Sequence, residues 1–588
     1  MTDQLLPEGL VDFLLFDWLG LDEVLARPEH ADLDRVAVGA FLSLADRMAK
    51  EHFLPHYKTA DREEPYLTQD GEVRALQAIA PALKAHAEAG FVAAPFPEKL
   101  GGLGLPELVQ LAASGSFMAA NVASAGYPML TLGNARLMAR YGTEAQIAAF
   151  VPKQLDGTAC GTMCLSEPQA GSSLADVRTR AEPEGEDDLG ARYRLTGTKM
   201  WISGGDHDLS ETIHHLVLAK IPGPDGKLPE GTRGLSLFVV PKHLPGGERN
   251  DIAVAGLNHK MGYRGTTNCL LNFGEGTRFA PGGKAGAVGW LVGEAGQGLA
   301  IMFHMMNEAR IGVGLGAAAL AMRSHAVSVE YARTRLQGRS DPKGAPVPIA
   351  AHADVARMLT RQKALAEGAL SLILFCARLV DDRNSAPTPE ARRAADALLG
   401  LLTPAAKTWS SEQGLEACAI GIQVHGGYGY TRDFDVEQLY RDQRLNPIHE
   451  GTTGIQGIDF LGRKLMKEQG AGLDQLDARI AATVAAAGEL APEAALLQAA
   501  WARFGEVRTA LPQIARGNWQ GVATDLLDGF GQVLVGWMLL DQALKADPTT
   551  EFGQERRTLA RFFLGSELPR AERAFALALS APVPVLAF

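Results

Sequence analysis

Glu450 is a lone carboxylate in the stretch Asn446-Pro-Ile-His-Glu450-Gly-Thr-Thr-Gly-Ile-Gln456, just ahead of a Gly-Thr-Thr that reads as a loop leading into a helix. A single acid so placed suits a general base. Upstream lie a Gly-rich turn, Gln423-Val-His-Gly-Gly-Tyr-Gly-Tyr430, and an amphipathic segment that contains Arg441-Asp442. Four further stretches have residue types that can do chemistry. Met163-Cys-Leu-Ser-Glu-Pro-Gln-Ala-Gly-Ser172 is a small-residue turn. Its N–H groups and hydroxyls suit an anionic or carbonyl-bearing ligand, or it is a plain strand-to-loop turn. In Lys199-Met-Trp-Ile-Ser-Gly-Gly205, the indole beside Ser203 either stacks on a flat heterocycle or fills a core. Tyr331-Ala-Arg-Thr-Arg335-Leu-Gln337-Gly-Arg339 ends a long helical pattern, where cations serve a pyrophosphate or only the helix dipole. Asn307-Glu-Ala-Arg310 comes early in that pattern, on an apolar face with Met302, Phe303 and Met306 upstream. A charge there needs an acid or a ligand as partner.

The elements that must position these residues follow from hydrophobic periodicity. Residues 1–158 read mostly helical, with Leu33, Val36, Phe41 and Leu44, and then Leu76, Ile79 and Leu83, at helical spacing. A Pro- and Gly-rich loop interrupts at 91–105, and helical patterning returns at 107–124 and 131–150. From 159 to 282 short alternating runs at 193–196, 198–203, 215–220, 235–240 and 269–273 are separated by Gly and Pro turns. That pattern predicts a middle β-barrel or sandwich, not a Rossmann fold, because strands do not alternate with long helices. Ala-rich helices are expected at 296–336, 348–382, 387–425 and 450–467, which gives a C-terminal four-helix bundle over 283–465. Residues 466–588 read as an additional helical domain. The predicted class is α+β multidomain.

Composition narrows the function. A chain of 588 residues with 46% hydrophobic residues supports three or four domains. A net charge of −12 argues against a nucleic-acid partner, which needs a basic footprint. Residues 466–588 alone carry eleven Lys and Arg against fourteen Asp and Glu. Five scattered cysteines make no disulfide framework, so a reducing cytoplasm is expected, with Cys160 and Cys164 as buried small hydrophobes and no metal. The N-terminus has no targeting signature, and no charge-free apolar run is long enough to span a membrane.

The order Ser-Glu-Pro-x-Ala-Gly-Ser, Lys-Met-Trp-Ile-Ser, Lys260-Met-Gly-Tyr-Arg-Gly, Gly293-Glu-Ala-Gly-Gln-Gly298, Tyr-Ala-x-x-Arg-x-Gln, Gln-x-x-Gly-Gly-x-Gly-Tyr, Arg-Asp and Glu-Gly-Thr resembles the acyl-CoA dehydrogenase family, from about residue 35 to about 467. The extensions at both ends resemble a large bacterial subgroup that includes 3-methylmercaptopropionyl-CoA and long-chain fatty acyl-CoA dehydrogenases. The resemblance implies FAD as cofactor and an acyl-CoA thioester as substrate. Glu450 would take the α-proton, and the β-hydride would pass to flavin N5. The product would be the trans-2-enoyl-CoA of fatty-acid β-oxidation, with electrons leaving to electron-transferring flavoprotein. By the same resemblance Met163, Leu165, Ser166, Trp201 and Ser203 line the flavin. Arg335 and Gln337 reach the FAD of a neighbouring subunit in a homodimer. Gln423 and Gly427 approach its pyrophosphate and adenosine, and Thr452 and Gly454 follow the base. Ser172, Asn307 and Arg310 belong to the substrate side. Some relatives carry the base just before the arginine, which here is Ala309, and Glu308 should point elsewhere on the helix. The usual Tyr before the base is replaced by His449. An acyl-CoA oxidase is the nearest rival reading, and a nucleic-acid-binding relative of the same fold would need a basic C-terminal domain.

Overall fold

The long Ala- and Leu-rich runs form helices, and the short turn-punctuated runs form one rolled sheet. The computed structural model describes residues 4–580 and Leu586. The chain divides into two compact units. One comprises Arg47–Leu105 and Ala120–Ala309, the other Met1–Asp46, Pro106–Ala119 and Arg310–Phe588.

The first unit contains the sheet. Its strands are β1 (Ala159–Cys164), β2 (Arg180–Asp187), β3 (Gly190–Ser203), β4 (Thr212–Lys220), β5 (Leu235–Pro241), β6 (Ile252–Leu257), β7 (Asn268–Phe273) and β8 (Ala287–Val292). The order is β8-β5-β4-β2-β3-β7-β6, with β1 parallel to β4. β8 also pairs with β3, so the sheet closes on itself as a barrel and continues past residue 282. Inward-facing Val217, Phe238, Leu271 and Phe273 fill it. All five cysteines are buried and unpaired.

A buried ion pair braces the end of β1. Lys199 on β3 donates to the Leu165 carbonyl (3.0 Å) and to Glu167 Oε1 (3.0 Å). Glu167 also accepts from the Thr179 hydroxyl (2.6 Å) and from the N–H groups of Arg178 (2.8 Å) and Thr179 (3.0 Å). Burial works to raise the Glu167 carboxyl, but the Lys199 ammonium and these donors outweigh it and hold it at about 2.

Helix α1 (Glu107–Tyr141) departs from the sequence expectation, which broke the helical pattern at 125–130. The break is at Asn121, whose φ of −161° and ψ of 90° are not helical. Its Oδ1 accepts the Ser124 N–H (3.1 Å), so Asn121 caps a new helix start. α1 is long and apolar enough to cross a membrane, and 94% of that window is buried inside the protein. α2 (Glu144–Leu155) opens with a Thr143/Gln146 capping box.

In the second unit the part of α3 (Gly298–Thr334) from Arg310 onward, α4 (Ala353–Ser385) and α5 (Pro389–His425) pack at glycine contacts. A Cβ at Gly314 would strike Ile373 and the Ala406 backbone, and one at Gly421 would strike Ser324 and Gln362. Then come α6 (Val436–Gln443) and α7 (Thr453–Ile458), and the additional helices α8 (Leu473–Ala485), α9 (Ala491–Ile514), α10 (Gln520–Lys545), α11 (Glu551–Ser566) and α12 (Pro569–Leu579). α10 is buried on every face from Gly529 to Leu540, with Gly531 against Trp409 of α5. The N-terminal segment docks on the same unit. Trp18 Nε1 donates to Asp541 (2.9 Å), and Arg27 to Ser385 (3.0 Å).

Replacing Glu167 with Ala strands the Lys199 ammonium. We expect a loss of about 3–5 kcal/mol, read as a lower denaturant midpoint for the sheet-bearing unit. Because the folded Glu167 carboxyl lies below its ordinary value of 4.5, its contribution is present above that value and is lost as the pH falls toward about 2.

Candidate active site

In the helical unit the site is the loop between α6 and α7. Thr452 caps α7, its hydroxyl accepting the Ile455 N–H (3.4 Å). Just before the cap the chain turns through two left-handed residues, Glu450 (φ +53°) and Gly451 (φ +90°). A left-handed glutamate is strained, and such strain persists only where neighbours impose it. Here Gln456 Nε2 donates to the Glu450 carbonyl (3.1 Å) and Lys407 Nζ to the Gly451 carbonyl (2.8 Å). The Thr453 hydroxyl donates to Glu412 (2.5 Å). Lys407 and Glu412 both lie on α5, so that helix holds the loop at two points.

Charge around the loop is asymmetric. Burial pushes the Glu450 carboxyl above its ordinary value, opposed by the Lys407 and Arg310 cations. Arg310 has found an acid: its Nη1 donates to Asp459 (2.9 Å), which also binds Arg463 (2.9 Å). Its buried Nε has no partner among the described residues. Burial lowers Lys407 to about 8, against the pull of Glu412 and Glu450. His449 is driven down to about 3 by burial and then by Lys407, so it is neutral at physiological pH. Asn446 Nδ2 donates to Gln443 (3.0 Å), which leaves Asn446 Oδ1 to accept from His449 Nε2 (3.2 Å). The imidazole proton is therefore on Nε2.

The same unit brings the Arg335 motif to the Gly-rich turn. The Arg335 guanidinium lies 5.7 Å from the Tyr428 ring centre, and Tyr331 stacks on His425 at 4.2 Å. Arg335, Gln337, Gln423, Gly427 and Thr452 are exposed, and Gly454 is half-buried. A Cβ at Gly427 would meet nothing within 4 Å, so the chain's own packing does not demand glycine there.

In the sheet unit, Met163, Leu165 and Ser166 are half-buried at the end of β1. The Met200 N–H donates to the Ser166 carbonyl (3.0 Å). β3 carries one extra residue against β7 between Lys199 and Ile202, and this bulge turns Trp201 outward. Trp201 has φ +66° and is 58% exposed, unusual for a large indole. Ser203 accepts from Asn268 (3.2 Å). Ser172 is exposed and Asn307 half-buried, while the side chains of Phe303 and Met306 lie outside the described residues. Glu308 is engaged by Arg136 (3.4 Å). An exposed indole held by a bulge suits a flat ring, and an arginine beside an open glycine turn suits a pyrophosphate. The residues present thus fit a flavin dinucleotide.

Sequence reasoning missed Lys407, Glu412 and Asp459. The available signal was a lysine in the otherwise apolar run around Leu401–Trp409 of α5.

Family models match nearly the whole chain. They are the acyl-CoA dehydrogenase N-terminal domain at 39–158, its middle domain at 162–275, its C-terminal domain at 296–465, and an acetyl-CoA dehydrogenase C-terminal-like region at 476–588. The chain belongs to the acyl-CoA dehydrogenase family. It is an enzyme of a family that uses FAD. It is 37% identical to the 3-methylmercaptopropionyl-CoA dehydrogenase of Ruegeria pomeroyi, over 83% of this chain and 80% of that protein. It is 33% identical to the broad-specificity linear acyl-CoA dehydrogenase FadE5 of Mycobacterium tuberculosis, over 95% of this chain and 94% of that protein. The fold matches an acyl-CoA dehydrogenase of Bacillus anthracis solved with FAD, with a TM-score of 0.75 and 22% identity, over 95% of this chain and 90% of that one.

Gly451→Ala tests the loop geometry. Its φ of +90° disfavours a side chain, and a Cβ would lie 2.6 Å from Gln456 Nε2, which holds Glu450. We expect steady-state turnover to fall about a hundredfold, as for an ångström-scale misplacement, with FAD content retained.

Proposed function

We propose that the protein desaturates an acyl-CoA thioester between its α and β carbons, with Glu450 as the general base. The observation that carries this reading is the left-handed Glu450, held by hydrogen bonds on both sides and facing the Lys407 and Arg310 cations. A thioester α-proton is weakly acidic, so its removal needs a positioned base whose pKa is near the working pH. Burial moves Glu450 in that direction. Glu308, the acid one residue before the alternative base position Ala309, is taken up by Arg136.

Bound FAD supplies the hydride acceptor, ring atom N5, and the product is the trans-2-enoyl-CoA. Met163, Leu165, Ser166, Trp201 and Ser203 would hold the ring. Arg335, Gln337, Gln423 and Gly427 would hold the dinucleotide, and Thr452 and Gly454 flank the base. Ser172, Asn307 and the free edge of Arg310 would serve the substrate. Neutral His449 adds no charge beside the base. In this reading the enzyme works as a cytoplasmic homodimer and passes electrons to electron-transferring flavoprotein. An oxidase would share the base and flavin, and would be revealed by rapid reoxidation in air with product bound.

The test is anaerobic bleaching of the bound flavin by short, long, branched and methylthio acyl-CoAs. Wild type should bleach with its preferred chain. Glu450→Gln should keep FAD and lose at least about 10²–10⁴ in bleaching rate. The wild-type rate should rise with pH through a limb above the ordinary glutamate value, because only the ionised carboxylate accepts the proton. Unchanged bleaching by Glu450→Gln would sink the reading.

A further inference from the structure

Lys407 is a buried ammonium in the middle of α5, flanked by buried Ala405, Ala406, Thr408 and Trp409. Such a charge is costly in apolar surroundings unless it is paired. Among the described residues Lys407 has no carboxylate within ion-pair distance; its hydrogen bond goes to the Gly451 carbonyl (2.8 Å). Packing alone would be served better by methionine. Resting on the assignment of Glu450 as base, we propose that Lys407 is a positioning residue: its ammonium fixes the Gly451 carbonyl, holds Glu450 in its left-handed conformation, and supplies a cation toward its carboxylate.

The surrounding charges support this role. Lys407 faces Glu412 on its own helix, Glu450 and His449 on the loop, and Arg310 on α3. Glu450 faces Lys407 and Arg310. The charge of Arg310 is answered by Asp459, and Glu412 accepts from Thr453. Lys407 has no ion-paired acid among the described residues, and its charge is shared between Glu412 and Glu450. Because burial lowers Lys407 to about 8, it loses that charge within the working range of pH.

The experiment follows anaerobic flavin reduction by rapid mixing at saturating acyl-CoA across pH, in wild type, Lys407→Met, Lys407→Arg and Glu450→Gln. Wild type should show an acid limb from Glu450 and an alkaline limb near 8. In Lys407→Met the alkaline limb should vanish and the acid limb move up by roughly one unit. The maximal rate should fall about tenfold or more, with substrate affinity and FAD content kept. Lys407→Arg retains the cation and should keep the acid limb in place. The infrared carboxyl band that is lost in Glu450→Gln gives a readout independent of turnover, and it should titrate higher in Lys407→Met. If Lys407→Met does not fold, Lys407→Gln takes its place. Wild-type limbs and band in the Met or Gln variant would overturn the proposal. Wild-type reduction by Glu450→Gln would instead overturn the base assignment beneath it.

Discussion

A glutamate cannot stay in a left-handed backbone conformation unless its neighbours leave it no alternative. That conformation costs on the order of 1–3 kcal/mol, and here it falls on the one acid best placed to be a base. The hydrogen bonds from Gln456 and Lys407, with the Thr453–Glu412 contact, supply the constraint. The Lys407 and Glu412 contacts depend on α5, whose residues from Leu398 to Gln413 are nearly all buried. The close helix contacts at Gly314 and Gly421 and the apolar cover from α10 therefore serve the loop as much as they serve stability.

The sheet unit uses the same physics. One extra residue in β3 puts Trp201 at φ +66° with its indole in solvent. The buried Lys199–Glu167 pair stiffens the adjoining end of β1. Among the described residues four non-glycines have positive φ, and three of them, Trp201, Tyr263 and Glu450, lie in the motifs quoted from the sequence. Strain concentrates where a side chain must be presented at a fixed angle against its own preference.

Much of this was legible in the sequence. Long apolar periodicity gave the positions of α3, α4 and α5 to within a few residues, and alternation gave the central strands of the sheet. β1, β2, β6 and β8 escaped notice: β1 and β8 are buried at nearly every residue, β2 is largely charged, and β6 is a short run of small residues broken by a bulge, so none alternates cleanly. Asn121 escaped because a capping side chain inside a helical pattern looks like any polar residue, while the nearby Gly126 and Pro128 drew attention away from it. Docking of Trp18 on Asp541, more than five hundred residues apart, has no local signature. Motifs pointed to Glu450 and Arg310, yet Lys407 has only the signal of a charge in an apolar run and Asp459 has none, and their pairing emerges only when helices meet.

The central claim is that Glu450 moves the α-proton. It is tested most directly where proton transfer is separated from oxidation. The FAD-loaded protein would be incubated in heavy water with an acyl-CoA analogue that has no β-hydrogen to lose, and deuterium at the α-carbon would be followed by mass spectrometry. The account predicts steady exchange by wild type and none above background by Glu450→Gln. Exchange by Glu450→Gln at the wild-type rate would contradict it.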